Sequence, residues 1–242
     1  HTINIKTVEQ VIPLFNEVNE EAIVKNFHIY FCNSIYCSPS FNSSNNNYGL
    51  LVSSNNGTIE SCGFFVDSEY GCGDVTINGY SEKENITLNI GLLCGNNTGI
   101  INNCFVGMCG KVNISPIYND RYNLHTTEMY YGSLVGQTSG TISNCYALLS
   151  ELVLPYIDAE ELEGRLEWDN MYNGPSKIKF GKLIGQFGSN SNQQNLFVVS
   201  GIRLSTYNIY DEIVDRSEVN TENNYVDVNV VDNMYYSEDE YL

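Results

Sequence analysis

Basic residues are scarce in this 242-residue chain: 11 Lys and Arg stand against 29 Asp and Glu, for a net charge of -18. That balance opposes binding to nucleic acid or to an anionic membrane surface and favours cations, sugars or a basic partner. No run of 18 or more apolar residues occurs, so no helical membrane span is expected, and the sequence as it stands reads without a signal peptide. The opening residue, His1, is read either as the start of a processed protein or as a tag remnant. The marks of catalysis are missing too. There is no Gly-x-Ser-x-Gly, no phosphate-cradling loop, no EF-type calcium loop and no Cys-x-x-Cys pair. Histidine numbers three, and isolated residues such as His28 and His125 single out no catalytic base. The expectation is a protein that is not an enzyme, with no metal and no cofactor. A hydrophobic content of 42% nevertheless permits a real core.

What is present is repetition. The stretch from Tyr131 to Tyr146, YGSLVGQTSGTISNCY, has an earlier copy from Ile90 to Phe105 and a still earlier one from Tyr48 to Phe64. A worn fourth copy runs from Phe180 to Phe197. The glycines Gly49, Gly91, Gly132 and Gly181 align with periods of 42, 41 and 49 residues, which marks stacked structural units.

Three strands can be read in each unit. The first is Gly-x-Leu-x, as in Leu50-Leu51-Val52; the second is Thr-Ile-x-Asn-Cys-aromatic. The third alternates with its apolar pair at the second and fourth places: 74–77, 111–114, 151–154 and 201–204, with 26–29 matching one unit earlier. Three short strands per coil, each pairing with its equivalents above and below, describe an all-β parallel β-helix of about four to five coils. Its outward positions in the third strand, Thr76, Asn113, Val153 and Arg203, present no paired acids.

The chain divides into residues 1–24, 25–204 and 205–242. The first part reads as a short strand (2–6) and a helical cap, with Val8, Val11, Ile12, Phe15, Val18, Ala22 and Ile23 on one face. Thr7 and Gln10 suggest a capping box, and Pro13 a kink. The second part is the repeat, and its long insertions, 30–48, 78–90, 115–131 and 155–180, all fall at one corner. Such a face is frequently the binding face of a solenoid. The third part holds ten acidic residues and one basic residue, Arg216, with a strand-like 226–230, and serves as a cap or an exchangeable strand.

The copies resemble the GLUG repeat, a Gly-Leu-x-Gly unit of secreted and surface proteins of bacteria and some microbial eukaryotes. The resemblance spans about residues 25–204 and is best in 132–136 and 140–146. Ser53 departs from it in the first copy, as does 193–196 in the fourth. It implies a right-handed β-solenoid and a role that is adhesive, structural or appended to an enzyme.

Eight cysteines and five Asn-x-Ser/Thr acceptors, at Asn42, Asn56, Asn85, Asn96 and Asn113, favour a secretory route with covalent N-glycans and a secreted or cell-surface location. Equivalent residues on neighbouring strands lie roughly 4.8 Å apart, inside the roughly 4.4–6.8 Å a disulfide needs, so Cys72 is expected to pair with Cys109. Cys32 and Cys37 share one insertion and are a second candidate pair. Cys62, Cys104 and Cys145 stack in one column, and with Cys94 they read as small buried hydrophobes.

Tyr118, Tyr122, Tyr130, Tyr131, Tyr156, Trp168 and Tyr172 crowd two neighbouring insertions and form a candidate binding face for carbohydrate or protein. The alternative is that they pack their own loops onto the scaffold. The sequence thus predicts a non-catalytic extracellular structural or adhesive solenoid. Self-association into a filament through the terminal strands, and a polysaccharide-active β-helix enzyme, are the alternatives.

Overall fold

The structure is a computed structural model and describes residues 2–5, 13–41, 46–68, 71–78, 80–81, 87–108, 110–114, 128–148, 151–154, 178–181, 183–198, 203–207, 213–215 and 226–227. Among these residues every regular element is a strand. Nearly all pairings are parallel, and they join equivalent residues of successive sequence copies.

Five long ladders result, numbered here in the order the chain meets them within one repeat, and a short sixth pairing, Ser40–Phe41 with Tyr80–Ser81, lies between the fifth and the next first. Ladder 1 stacks Asn47–Tyr48, Thr87–Gly91, Glu128–Gly132, Ile178–Gly181 and Val226–Asp227. Ladder 2 stacks Phe15–Val18, Val52–Asn55, Cys94–Asn97, Val135–Thr138 and Ile184–Phe187. Ladder 3 holds Ile23–Lys25, Thr58–Glu60, Ile100–Asn102 and the first half of Thr141–Leu148. Ladder 4, in the same sheet, holds Thr2–Ile5, His28–Phe31, Gly63–Ser68, Phe105–Met108 and the second half of Thr141–Leu148. Asn192–Val198 closes both. Ladder 5 stacks Ile35–Cys37, Val75–Ile77, Lys111–Ile114, Glu151–Leu154 and Arg203–Tyr207, with Ile213–Asp215 antiparallel at its end.

Five ladders replace the three expected strands. The Gly-x-Leu segments are the corners between ladders 1 and 2, not strands: Leu50 and Leu51 lie in a bend and are both buried. The glycines there are demanded by space. A Cβ on Gly132 would meet the carbonyl oxygens of Val135 and Leu183, and one on Gly136 would sit 2.5 Å from the Ile90 nitrogen and 2.7 Å from the Asn89 carbonyl carbon. Each second glycine thus lets ladder 2 lie against the ladder 1 strand of the preceding repeat. Ser53 escapes this demand because among the described residues ladder 1 begins only at Asn47–Tyr48.

A second corner divides ladder 3 from ladder 4. Asn26, Ser61, Asn103, Asn144 and Asn195 all adopt a left-handed backbone, with φ between 49° and 56°. Asparagine tolerates this conformation better than most residues. The corners are stitched together: Asn144 Nδ2 donates to Asn102 Oδ1 at 2.8 Å, and Asn195 Nδ2 to Asn144 Oδ1 at 2.9 Å. After each corner one side chain turns inward, giving the column Phe27, Cys62, Cys104, Cys145 and Leu196.

No helical cap is seen. Residues 6–12, with Val8, Val11, Ile12, Thr7 and Gln10, lie outside the described residues, and from Phe15 onward the segment is a further copy of the repeat. Its three-to-four spacing comes from strand, corner and strand rather than from a helix face: Val18 is 3% exposed but Ile23 is 63% exposed. The 26–29 segment also moves, since Ile29 pairs with Phe64 in ladder 4, and the ladder 5 strand of that copy is Ile35–Cys37. In the last copy the register places Arg203 opposite Glu151, and Ser205 rather than Arg203 opposite Val153. The shift is by two, so inward and outward faces are kept.

One core cluster runs through all five ladders, from Val18 to Leu196. Within it lies a polar column: Asn55, Asn97 and Thr138 are fully buried between Val18 and Phe187.

Candidate functional site

The strands of ladder 2 alternate, so one residue in each points outward: Glu17, Ser54, Asn96, Gln137 and Gln186 form a polar column. Beside it, ladder 1 presents Asn47 and Asn89, which also pair. Where, among the described residues, the first strand of ladder 2 has no ladder 1 counterpart, the two ladders leave a cleft of about 480 Å³, lined by Asn16, Glu17, Asn47, Ser53, Ser54, Asn56 and Asn96. Its walls are held by hydrogen bonds. Asn89 Nδ2 donates to Asn47 Oδ1 at 2.7 Å, and Asn47 Nδ2 donates to Ser54 Oγ at 2.9 Å. Asn56 Nδ2 donates to Glu17 Oε1 at 2.7 Å while its Oδ1 accepts from Thr98 Oγ1 at 2.6 Å. Every described lining side chain ends in an amide, a hydroxyl or a carboxylate, so the site can hydrogen-bond in both senses and its surface is mainly polar.

A second surface feature lies on the outer face of ladder 4, where aromatic rings and glycines alternate. Phe105 stacks on Tyr146 with centroids 5.4 Å apart and planes within 14°, and it also meets Phe65 at 4.9 Å and His28 at 5.4 Å. Gly63 pairs with Phe105 and Gly107 with Phe65, and a Cβ on either glycine would run into the facing ring. The rings therefore occupy the places the glycines vacate, which is a packing reason for both. Tyr30 donates to Asp67 Oδ2 at 3.0 Å, and that bond and charge raise the pKa of the phenol. Sequence reasoning passed over this patch because its members are two residues and one repeat apart, and only the register brings them together.

Of the expected binding face, Tyr118, Tyr122, Tyr156, Trp168 and Tyr172 lie outside the described residues. Tyr130 is half-buried in ladder 1. Tyr131 is corrected: it is fully buried, in register with Ile90 and Phe180, and burial raises its pKa. Alternation along Glu128–Gly132 allows only one of these two tyrosines to face outward.

Cys109 lies outside the described residues, so the expected pairing with Cys72 does too. Cys32 and Cys37 are both free thiols, a correction to their expected pairing. Cys37 points into the core from ladder 5, where burial pushes its thiol up to about 12, whereas Cys32 sits in the preceding bend. Cys62, Cys94, Cys104 and Cys145 are free and fully buried. Three of them donate to the carbonyl two residues earlier: Cys62 to Glu60 at 3.2 Å, Cys104 to Asn102 at 3.2 Å and Cys145 to Ser143 at 3.0 Å. Each thiol thus serves as a small hydrophobe and as a weak donor that closes the left-handed corner.

Among the glycan acceptors, Asn42 and Asn85 lie outside the described residues. Asn56 and Asn96 line the cleft, and Asn113 is half-buried in ladder 5 between Thr76 and Val153. Val153, read as an outward position, is fully buried. Among the described residues no group of three or more His, Cys, Asp or Glu could hold a metal ion, and no helix is long and apolar enough to cross a membrane. Compared with protein-family models, with curated proteins and with solved structures, the chain matches none.

Proposed function

We propose that the five ladders close into a parallel β-helix, and that the protein is a non-catalytic structural and adhesive element of a cell surface or extracellular matrix. One observation carries this reading. Equivalent residues of successive copies pair in register in every ladder, over a single continuous core, which makes a stiff scaffold whose stability needs no ligand. The resemblance to Gly-Leu-x-Gly repeats supports the same reading. Segments 115–127 and 155–177 join ladder 5 to ladder 1 and carry five of the aromatic residues of the expected binding face. In this reading they are displayed to a carbohydrate or protein partner, with N-glycans on acceptor asparagines outside the cleft.

Filament growth through the terminal strands is a weaker reading. Thr2–Ile5 pairs with His28–Phe31 and Val226–Asp227 pairs with Ile178–Lys179, so both segments are engaged within their own chain.

The test is a surface-adhesion assay with beads carrying the natively glycosylated protein, compared with a variant in which 115–127 and 155–177 are replaced by short Gly-Ser turns. The variant is expected to keep its melting temperature and lose adhesion to cell- or matrix-coated surfaces. Adhesion that survives the replacement would sink the display role, and release of reducing ends from neutral polysaccharides would point to an enzyme instead.

A further inference from the structure

We propose that the cleft between ladders 1 and 2 is a saccharide-binding subsite that takes one or two pyranose units of a neutral glycan. The inference deepens the adhesive reading by naming a ligand class, and it uses none of the residues in 115–127 or 155–177.

The argument rests on which polar groups are engaged and which are left. Glu17 lines the cleft, and its Oε1 accepts from Asn56 while its second carboxylate oxygen takes no part in that contact, leaving it available as an acceptor. Ser54 accepts from Asn47 through its oxygen, so its own proton remains to be donated. Asn16 and Asn96 line the cleft with amides that make no side-chain hydrogen bond among the described residues. The described lining thus offers one carboxylate acceptor, the hydroxyls of Ser53 and Ser54, and the amides of Asn16 and Asn96, which both give and accept. A vicinal diol offers the complementary pattern, because each hydroxyl donates once and accepts as well.

The supporting bonds come from residues 39, 7 and 42 positions away in sequence, so the array is held by the ladder register rather than by a loop. Such preorganisation lowers the ordering cost of binding. The cleft's volume falls in the range of about 300–1,000 Å³ usual for small-ligand sites.

Other ligands fit less well. An anionic sugar would face Glu17 and a chain of net charge -18. A hard cation wants several charged or carbonyl oxygens, and the described lining residues supply one carboxylate. An apolar ligand would find no apolar side chain among the lining residues.

One consequence separates this proposal from the glycan pattern the sequence suggests. Asn56 and Asn96 are both acceptors, and a glycan on either would stand in the cleft, so both are expected to be unmodified in the native protein. The experiment is peptide mapping of the native protein, followed by a glycan array and calorimetry with the neutral oligosaccharides that score. Mapping is expected to find Asn56 and Asn96 bare. Glu17→Gln and Asn96→Ala are each expected to weaken binding by about tenfold or more, as loss of one charged or paired hydrogen-bond partner implies. Gln137→Ala, on the same outward column but outside the cleft, is expected to leave affinity unchanged, and melting temperatures of all three identify any folding defect.

A glycan on Asn56 or Asn96, the absence of any neutral-glycan binding, or binding that survives both cleft variants would overturn the proposal. If adhesion is lost on replacing the two loops but not in the cleft variants, the cleft falls and the adhesive reading stands. If the cleft variants abolish glycan binding while the loop replacement does not alter adhesion, the cleft stands and display by the loops falls.

Discussion

Asn55 and Asn97, 42 residues apart in sequence, are joined by a 2.7 Å hydrogen bond from Nδ2 of the first to Oδ1 of the second, and both side chains are fully buried. Asn97 passes the pattern on by donating to Thr138 Oγ1 at 3.0 Å, and Thr138 ends it by turning its proton onto the Asn97 carbonyl at 3.2 Å. At the other end the column has no such stop. Asn55 Oδ1 is buried without a hydrogen-bond partner, and the neighbouring position in register is Val18.

The column therefore carries an asymmetry that two substitutions expose. Asn97→Ala strands the partners on both sides and is expected to cost about 1–3 kcal/mol. Val18→Thr keeps the β-branched shape and offers a hydroxyl to Asn55 Oδ1, and is expected to be neutral or to add up to about 1 kcal/mol. Urea unfolding of the two variants checks both, and a destabilised Val18→Thr would show that the Asn55 oxygen is already satisfied.

Gly136→Ala places a methyl against the Ile90 and Asn89 backbone and is expected to destabilise by at least about 1–3 kcal/mol, since neither neighbour is a flexible side-chain end. Ser53→Gly, at the corresponding position of the first copy, removes a side chain that among the described residues meets no ladder 1 strand of an earlier repeat and is expected to change stability by less than about 1 kcal/mol. The contrast between the two melting temperatures is the readout. Equal effects would refute the spatial reason given for the second glycine.

Burial holds the Cys62 thiol up to about 11 and the Cys37 thiol up to about 12, from an ordinary value of 9.0, and raises Cys94 as well. The hydrogen bond between Cys104 and Cys145 raises the first and lowers the second, so these two oppose each other and the pH dependence rests on Cys37, Cys62 and Cys94. The unfolded chain would lose these protons near pH 9 while the folded chain keeps them, so above that pH the unfolded state binds fewer protons and folding stability falls. A urea midpoint that drops from about pH 8.5 to about pH 11 is expected, and a flat profile would contradict the burial. In the native protein Cys32, half-buried, is expected to react with a disulfide reagent before Cys37, Cys62, Cys94, Cys104 and Cys145, which follow only on unfolding.

Thr2–Ile5 covers the edge of His28–Phe31, which otherwise has Gly63–Ser68 on one side only. Removing residues 1–6 is expected to uncover that edge and raise self-association, because an open strand recruits another. Sedimentation velocity over a range of concentrations measures this. A truncated chain that stays as monodisperse as the parent would mean the strand is not acting as a cover.

Much of the strand pairing was legible in the sequence because the repeat is written in residues that only a few backbone environments accept. The glycines marked corners, the Thr-Ile-x-Asn-Cys run marked a ladder, and Val75, Val112 and Leu152 align as the alternation predicted. The first copy reads as a helix because it keeps neither landmark: Phe15–Val18 has no Gly-Leu corner before it, and Phe27 stands where the next three copies have cysteine. Without those marks its apolar spacing matches a helix as well as two strands and a bend. The cleft was not legible at all. Among the described residues it lies where ladder 2 has one strand more than ladder 1, and the extent of a ladder is a property of pairing that no single segment encodes.

The left-handed corner at Asn26, Ser61, Asn103, Asn144 and Asn195 makes the copies interchangeable parts. Each one receives the same pattern of carbonyls from below and hands it on above, so length is a free variable of this architecture. Copying residues 92–132 and inserting the duplicate after Gly132 would keep every ladder in frame. A chain that can be lengthened by a whole cassette can be matched by gene duplication to whatever distance it has to bridge.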